Sequence, residues 1–292
     1  MLHYEPAVTS RRGRRVDSCS PHSGFHVERP SFGAAFALLA RQRKEIAIAN
    51  RTSLVSELES FFDDGYITGI PRLVKSGKEA TVYCCQAEEW QGARWLAAKV
   101  YRPLQARSFK NDSLYREGRV ILESRARRAV ENKTRKGRGI AFGLWMGHEF
   151  ALLQTLHAHG ANVPRPIAAA PSAILMEYIG DDRAPAPQLG SVELTAEQAQ
   201  RLGRQVLRNI EILLSCDVVH GDLSPYNILY WKGEAKIIDL PQAVDARTNR
   251  NAFTLLLRDI ENVTGYFEEY GVKMDASRIA RTLWNRYRNN EL

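Results

Sequence analysis

Cysteine is scarce. The 292 residues hold four, Cys19, Cys84, Cys85 and Cys216, and no two are spaced C-x-x-C. That pattern excludes a zinc ribbon and a thioredoxin-type redox motif. Cys84 and Cys85 are neighbours in a strand-like run, where successive side chains point to opposite faces. Four unpaired thiols suit a reducing compartment, and a cytoplasmic location is the expectation. No apolar run reaches the ~20 residues that span a bilayer, so no membrane partner is expected. The first 30 residues are polar, and the apolar stretch at 34–40 comes too late for a signal peptide. No internal repeat is visible. What is present is ordinary for a folded protein: 44% hydrophobic and 25% charged residues, too apolar for a disordered chain. The length suits one large domain or two small ones, with core enough to need no disulfide or metal staple.

The net charge is +8, from 41 Lys+Arg and 33 Asp+Glu. Residues 102–138 hold 12 basic and 4 acidic groups, a net of +8 by themselves, and residues 1–51 hold 9 and 4. The remaining body is mildly acidic. A basic segment of this kind faces nucleic acid, an anionic ligand, or only solvent.

Residues 1–30, with Arg11, Arg12, Arg14 and Arg15, read as a disordered basic tail, and 31–66 as a helical extension. Within it 33–50 form a first helix, and Leu54, Leu58, Phe61 and Phe62 mark one face of a second, over 53–64. Ser53 is placed to cap that helix and Gly65 to end it. The period then changes. Residues 72–75, 80–86 and 95–101 read as three strands of an antiparallel meander. Residues 102–138 lack a period and read as a long, partly mobile insert. A helix is predicted over 141–158 and a strand over 173–179. The stretch 181–190 holds two prolines and reads as a linker or hinge. A strong helix follows over 195–214, with Thr195 as cap and Leu202, Val206, Ile210, Leu213 and Leu214 on its apolar face. A hairpin at 228–231 and 235–238 and helices at 251–268 and 275–289 complete the pattern.

The segment richest in chemistry is His220-Gly221-Asp222-Leu223-Ser224-Pro225-Tyr226-Asn227, followed by Ile237-Ile238-Asp239. An Asp, an Asn five residues on and a second Asp ending a strand match the phosphotransfer string H-x-D-L-x-x-x-N … D. Phosphoryl transfer needs a carboxylate to orient the attacking hydroxyl or water, and oxygen ligands for Mg²⁺. Asp222 fits the first role, and Asn227 and Asp239 the second. One Asp near one Asn is a common polar turn, and the full string is far more specific. Upstream, Lys99 sits in Leu96-Ala97-Ala98-Lys99-Val100-Tyr101, resembling the V-A-I-K strand of kinases. Its bland alternative is a snorkelling surface lysine. Glu149 shares a helix face with Trp145, Leu152 and Leu153, where a charge needs a partner, and Lys99 is the natural one. Ser76-Gly77-Lys78 stands where a glycine-rich loop would, with one glycine rather than three, and a plain hairpin turn is the competing reading. His220 reads as a residue holding its loop, Cys216 as a small core residue, and His157 and His159 form no metal site.

The string Ser76-Gly77-Lys78-Glu79-Ala80-Thr81-Val82-Tyr83 resembles the signature loop of the RIO family of atypical serine/threonine protein kinases, S-T-G-K-E-A-x-V-Y. In the same order, Ala97 to Tyr101 resembles the family's A-x-K-x-Y, Trp145 to Glu149 its W-x-x-x-E, and His220 to Asn227 its H-x-D-L-S-x-x-N. Ile237 to Gln242 resembles I-I-D-x-x-Q, and Arg258 to Val263 resembles R-D-x-x-N-V. The likeness covers about residues 52–268. It implies an α+β, two-lobed protein-kinase-like fold with an antiparallel-sheet N-lobe over 67–180 and a reduced helical C-lobe over 181–292. It also implies ATP, Mg²⁺ and phosphoryl transfer. By the same likeness Lys99 and Glu149 form an ion pair, Asp222 is catalytic, and Asn227 and Asp239 bind metal. Met176, Glu177 and Ile179 lie at the adenine hinge, and Ser76, Gly77, Lys78 and Val82 meet the nucleotide. The chain reads Lys75-Ser76-Gly77 where S-T-G is usual. Its N-terminal region has no winged-helix pattern, which favours the first RIO subfamily over the second.

No A-P-E follows Asp239, Leu240-Pro241 replaces Phe-Gly, and 53 residues remain, too few for an activation segment and a full C-lobe. The expected acceptor is another protein or the chain itself, or ATP hydrolysis serves as a switch. Two other classes compete. A small-molecule kinase resembling aminoglycoside phosphotransferases shares His220-Gly221-Asp222. A nucleotide-gated scaffold on RNA or a ribosome precursor would use 102–138. An inactive pseudokinase is disfavoured by the presence of Lys99, Glu149, Asp222, Asn227 and Asp239.

Overall fold

The structure, a computed structural model, describes residues 56–102 and 135–292, with 135–145 as backbone only. The tail 1–30, the helix expected at 33–50, Ser53 and Leu54, residues 103–134 of the insert and the Trp145 side chain lie outside the described residues.

Residues 56–63 form helix α1, which buries Leu58 and Phe61. It ends as Gly65 enters the left-handed region at φ +66°, with Gly65 N bonded to the Phe62 carbonyl and Tyr66 N to the Phe61 carbonyl. This double closure satisfies carbonyls the helix end would otherwise leave open. The chain then builds a five-stranded antiparallel sheet in the order β1-β2-β3-β5-β4. Its strands are β1 (Ile67–Ser76), β2 (Ala80–Ala87), β3 (Trp95–Tyr101), β4 (Pro166–Ala170) and β5 (Ala173–Glu177). Both edge strands differ from the sequence expectation. β1 is longer than 72–75 because an edge position tolerates Gly69 and Pro71, and three register shifts absorb them. β4 was not predicted. Its Pro-Ile-Ala-Ala-Ala run has no alternation, and its proline stands at the first residue of an edge strand.

The two cysteines of β2 serve opposite faces. Cys85 packs with Leu58, Phe61, Leu96 and Leu175 under α1, whereas Cys84 packs with Ala97 and Tyr178 on the other side. Burial pushes the Cys85 thiol up to about 12 and raises that of Cys84, so both stay neutral.

Helix α2 (Arg135–Ala158) crosses behind the sheet. It begins before the predicted 141, inside the segment read as insert. Arg135, Lys136 and Arg138 are good helix formers, but they carry no apolar period to announce a helix. The remaining helices are α3 (Ala196–Ser215), α4 (Ala252–Glu268) and α5 (Ala276–Arg288). Thr195 caps α3 in a reciprocal box with Gln198. Leu202, Val206, Ile210, Leu213 and Leu214 are all buried against Leu255, Leu256, Ile260 and Phe267 of α4. The hairpin of β7 (Ile228–Trp231) and β8 (Glu234–Ile237) and a two-residue ribbon of β6 (Val218–Val219) with β9 (Val244–Asp245) lie over these helices. The ribbon is too short for any periodicity to show. From Asp239 the chain reaches α4 within residues 240–251, which contain β9 and no further helix. The result is two-lobed, sheet above and helices below.

Candidate active site

Lys99 and Tyr101 are two apart on β3, so both side chains leave the same face of the sheet. They meet Glu149 of α2. Lys99 Nζ donates to Glu149 Oε1 at 2.8 Å, and the Tyr101 hydroxyl donates to Oε2 at 2.7 Å. Each carboxylate oxygen therefore has its own donor, as a buried carboxylate requires. Glu149 is 3% exposed and Lys99 9%. Lys99 has a second anion: its Nζ lies 2.8 Å from Asp239 Oδ1. Burial works against the ammonium charge, but Asp239 and Glu149 outweigh it and hold the Lys99 pKa well above its ordinary value. In return Lys99 holds the Asp239 carboxyl below the usual range. Burial, with Glu149 adding to it, raises the Tyr101 hydroxyl so far that it remains a donor. Asp239 sits in the left-handed region at φ +71°, a conformation uncommon for a residue with a side chain. Its carboxylate is 47% exposed, toward the space between the lobes.

The loop that carries Asp222 is held from several sides. His220 Nδ1 accepts from the Asp222 backbone N–H at 3.3 Å, and its Nε2 lies 3.1 Å from the Ile238 carbonyl. Both contacts are met by one neutral tautomer with hydrogen on Nε2. From α4, Asp259 accepts the backbone N–H groups of Gly221 at 2.7 Å and Leu223 at 2.9 Å. Arg258 donates to the Gly221 carbonyl, and Asn262 to the Leu223 carbonyl at 2.9 Å. Burial pushes the Asp259 carboxyl up to about 6, against the pull of those two N–H groups. The Asn227 amide donates to the Asp222 carbonyl at 2.8 Å and reaches Asp222 Oδ2 at 3.4 Å. Gln242 donates to the same oxygen at 3.2 Å. Burial raises the Asp222 carboxyl above its ordinary value, and Asp239 adds to the effect.

A cavity of about 580 Å³ lies between the lobes. Val82, Ala97, Met176 and Ile179 give it apolar walls, and Lys99, Glu149, Asn227 and Asp239 a polar end. An apolar slot with convergent polar groups at one end is the usual form of a small-ligand site. Gly77, Lys78 and Glu177 also line it, whereas Ser76 and Asp222 do not. Ser76 is exposed and its hydroxyl accepts from Arg102 at 3.0 Å. The Gly77 N–H closes the β1–β2 turn on the Ala80 carbonyl at 2.9 Å. Glu177 accepts from Arg165 N at 3.1 Å and from Lys236 Nζ of β8 at 3.2 Å, tying the sheet to the lower lobe.

The donor set suits Mg²⁺. The Asn227 amide nitrogen is spent on Asp222, which leaves its oxygen as the free end, and Asp239 supplies a carboxylate. Among the described residues no three His, Cys, Asp or Glu side chains cluster into a cage. Mg²⁺ needs none, since it takes one or two protein oxygens together with water and substrate phosphates. Among the described residues no helix is long and apolar enough to cross a membrane.

Tyr101, Asp259 and Gln242 were given no role from sequence, although all three lie inside quoted motifs. The i, i+2 spacing from Lys99 was the signal available for Tyr101.

A family profile described as RIO domain matches residues 81–279. The chain is 31% identical over 229 residues to a serine/threonine-protein kinase rio1 of Schizosaccharomyces pombe, covering 78% of this chain and 43% of that protein. It is 32% identical over 219 residues to a RIO-type serine/threonine-protein kinase Rio1 of Haloferax volcanii, covering 74% and 69%. A human serine/threonine-protein kinase RIO3 is 27% identical over 250 residues, covering 82% and 46%. The chain thus spans about half the length of several relatives it matches. In fold it is similar to a Rio2 kinase from Chaetomium thermophilum solved as an ADP/Mg²⁺-phosphoaspartate complex, with a TM-score of 0.54 at 20% identity, covering 77% of this chain and 65% of that one.

Proposed function

The chain belongs to the RIO domain family, by its match over residues 81–279, and from that premise we propose that it is an ATP- and Mg²⁺-dependent serine/threonine protein kinase. The observation that carries the reading is Lys99, buried between two carboxylates at the polar end of an otherwise apolar cavity. A buried ammonium so placed is suited to receive phosphate oxygens, and Glu149 with Tyr101 fixes its position. Val82, Met176 and Ile179 offer apolar surface to a base. Asn227 and Asp239 would hold Mg²⁺, which when bound draws charge off the phosphates. Asp222 accepts the proton of the attacking hydroxyl, and its loop is aimed by Asp259, Arg258 and His220. Ser76, Gly77 and Lys78 would close over the nucleotide from the β1–β2 turn. The protein acceptor is another chain or this one. A cytoplasmic setting goes with this reading.

Within the family we place the chain nearer the first subfamily. Identities of 30–33% to relatives named RIO1, against 26–27% to those named RIO3, support this. A second reading, ATP hydrolysis as a switch, draws support from the short run 240–251, which offers no platform for an acceptor peptide. It also draws on the phosphoaspartate named for the Chaetomium protein. An RNA or ribosome-precursor partner for 102–138 rests on that segment's net charge of +8. Deleting 102–138 should then abolish salt-sensitive RNA retention, and unchanged retention would remove the idea.

The test is incubation with Mg²⁺ and ATP labelled on the γ-phosphoryl group. Kinase action puts alkali-labile, acid-stable label on serine or threonine of the chain or an added protein. The switch reading puts hydroxylamine-labile label on an aspartate and releases phosphate. Neither label nor phosphate from the wild type would overturn both.

A further inference from the structure

The turn that joins β5 to the lower lobe is gripped from β1 by Arg72, more than a hundred residues away in sequence. Arg72 Nη2 donates to the Tyr178 hydroxyl and to the Asp181 carbonyl, each at 2.8 Å, and Nη1 donates to the Asp182 carbonyl at 2.5 Å. The guanidinium carbon lies 5.4 Å from the centre of the Tyr178 ring and 5.6 Å from that of Trp95. Trp95 Nε1 in turn donates to Asp182 Oδ1 at 2.5 Å, and Arg94 pairs with the other oxygen. The buried Nε of Arg72 has no hydrogen-bond partner among the described residues. A buried N–H left unmet is unusual, and here it lies beside three bonds made by the two terminal nitrogens.

The gripped turn is itself closed. Asp181 Oδ1 accepts from Arg183 N and Ala184 N at 2.8 Å, and Ala186 N donates to the Ile179 carbonyl at 2.9 Å. Gly180 has φ +149°, and a Cβ there would stand 2.5 Å from the Ala184 carbonyl and 2.9 Å from the Tyr178 ring. Tyr178, Ile179, Pro185 and Ala186 of this turn line the cavity, whereas Arg72 and Asp182 do not.

We propose that Arg72 is a positioning residue for the nucleotide. It acts through Tyr178 and the turn at 178–186, holding that part of the cavity wall in place before the base arrives. A wall ordered in advance spares the ligand the loss of freedom that ordering it on binding would entail. The grip needs a planar fork that stacks on rings and reaches three oxygens, which a lysine ammonium cannot copy. Arg72 forms no contact with Lys99, Asp222 or Asp239, so its removal should appear in affinity and KM, with kcat nearly unchanged.

This inference rests on the ATP reading above, and ADP·Mg²⁺ binding by calorimetry separates the two. The variants are Arg72→Ala, Arg72→Lys and Trp95→Phe, each with amide hydrogen exchange followed over 178–186. Arg72→Ala and Arg72→Lys should each weaken ADP about tenfold, about 1.4 kcal/mol, speed exchange across the turn, and leave kcat within about twofold of wild type. Trp95→Phe, which keeps a ring and loses the bond to Asp182, should fall between these and wild type. It carries the test if Arg72→Ala does not fold. Faster exchange with unchanged ADP affinity would make the grip merely structural and overturn the proposal, as would full rescue by Arg72→Lys. A wild-type chain that fails to bind ADP would instead remove the ATP reading, and this inference with it.

Discussion

Replacing Lys99 by methionine strands Glu149, 3% exposed, with only the Tyr101 hydroxyl at 2.7 Å, while half-exposed Asp239 turns to water. Removing one partner of a buried pair costs about 3–5 kcal/mol, and the retained Tyr101 bond places this case near 3. Glu149→Gln is milder. Lys99 keeps Asp239 at 2.8 Å, and the new amide oxygen still accepts from it, so about 1 kcal/mol is expected. In the double variant Lys99→Met/Glu149→Gln, neutral groups of similar size face one another, and such replacements of buried pairs are well tolerated. Its loss should be about 2 kcal/mol rather than the additive ~4, a coupling of about 2 kcal/mol. Urea unfolding of the four proteins measures this, with the slope checked for constancy. Losses that add to within about 0.5 kcal/mol would refute the idea that Glu149 is held chiefly as the partner of Lys99. The same pair sets a pH signature. The folded-state pKa of Lys99 is raised above its ordinary 10.5, so its contribution is full below that value and is lost as pH rises through the folded one. Wild-type stability should fall more steeply above pH 10.5 than that of Lys99→Met.

Tyr101→Phe leaves one oxygen of Glu149 without its donor and should cost about 1–3 kcal/mol by urea unfolding, with a raised KM for ATP. Asp259→Asn sets an amide N–H₂ against the Gly221 or Leu223 N–H, and should lower kcat far more than the KM for ATP; equal losses in both would speak against a loop-aiming role. Because burial raises the Asp222 carboxyl, the acid limb of kcat/KM should lie above the ordinary aspartate range. Activity is lost as Asp222 gains its proton with falling pH. Asp239, held low by Lys99, stays ionised there, so residual activity in Asp222→Asn should keep only the limb set by Asp259, pushed up to about 6.

The meeting of Lys99, Glu149, Asn227 and Asp239 at one cavity follows short strings whose spacing carries chemistry. The capped helix at Thr195 and the Leu202–Leu214 face were legible because capping and a 3.6-residue period are local. What escaped was long-range or aperiodic. Strand β4 is a run of alanines after a proline. The first turn of α2, Arg135-Lys136-Gly137-Arg138, holds no apolar residue that could set a 3.6-residue period. The grip of Arg72 on 178–182 and the Asp259 clamp span over a hundred and nearly forty positions, and no local pattern records which backbone groups a side chain will reach. The motif around Ser76 likewise carries no sign of Arg102, whose guanidinium donates to the Ser76 hydroxyl at 3.0 Å.

ATP turnover with and without Mg²⁺, in wild type, Asp222→Ala and Asp239→Ala, bears most directly on phosphoryl transfer at this site. Wild type should turn over ATP only with Mg²⁺, and both variants should lose turnover while remaining folded. Metal-independent turnover, or wild-type rates in both variants, would contradict the assignment of Asp222 as base and Asp239 as metal ligand.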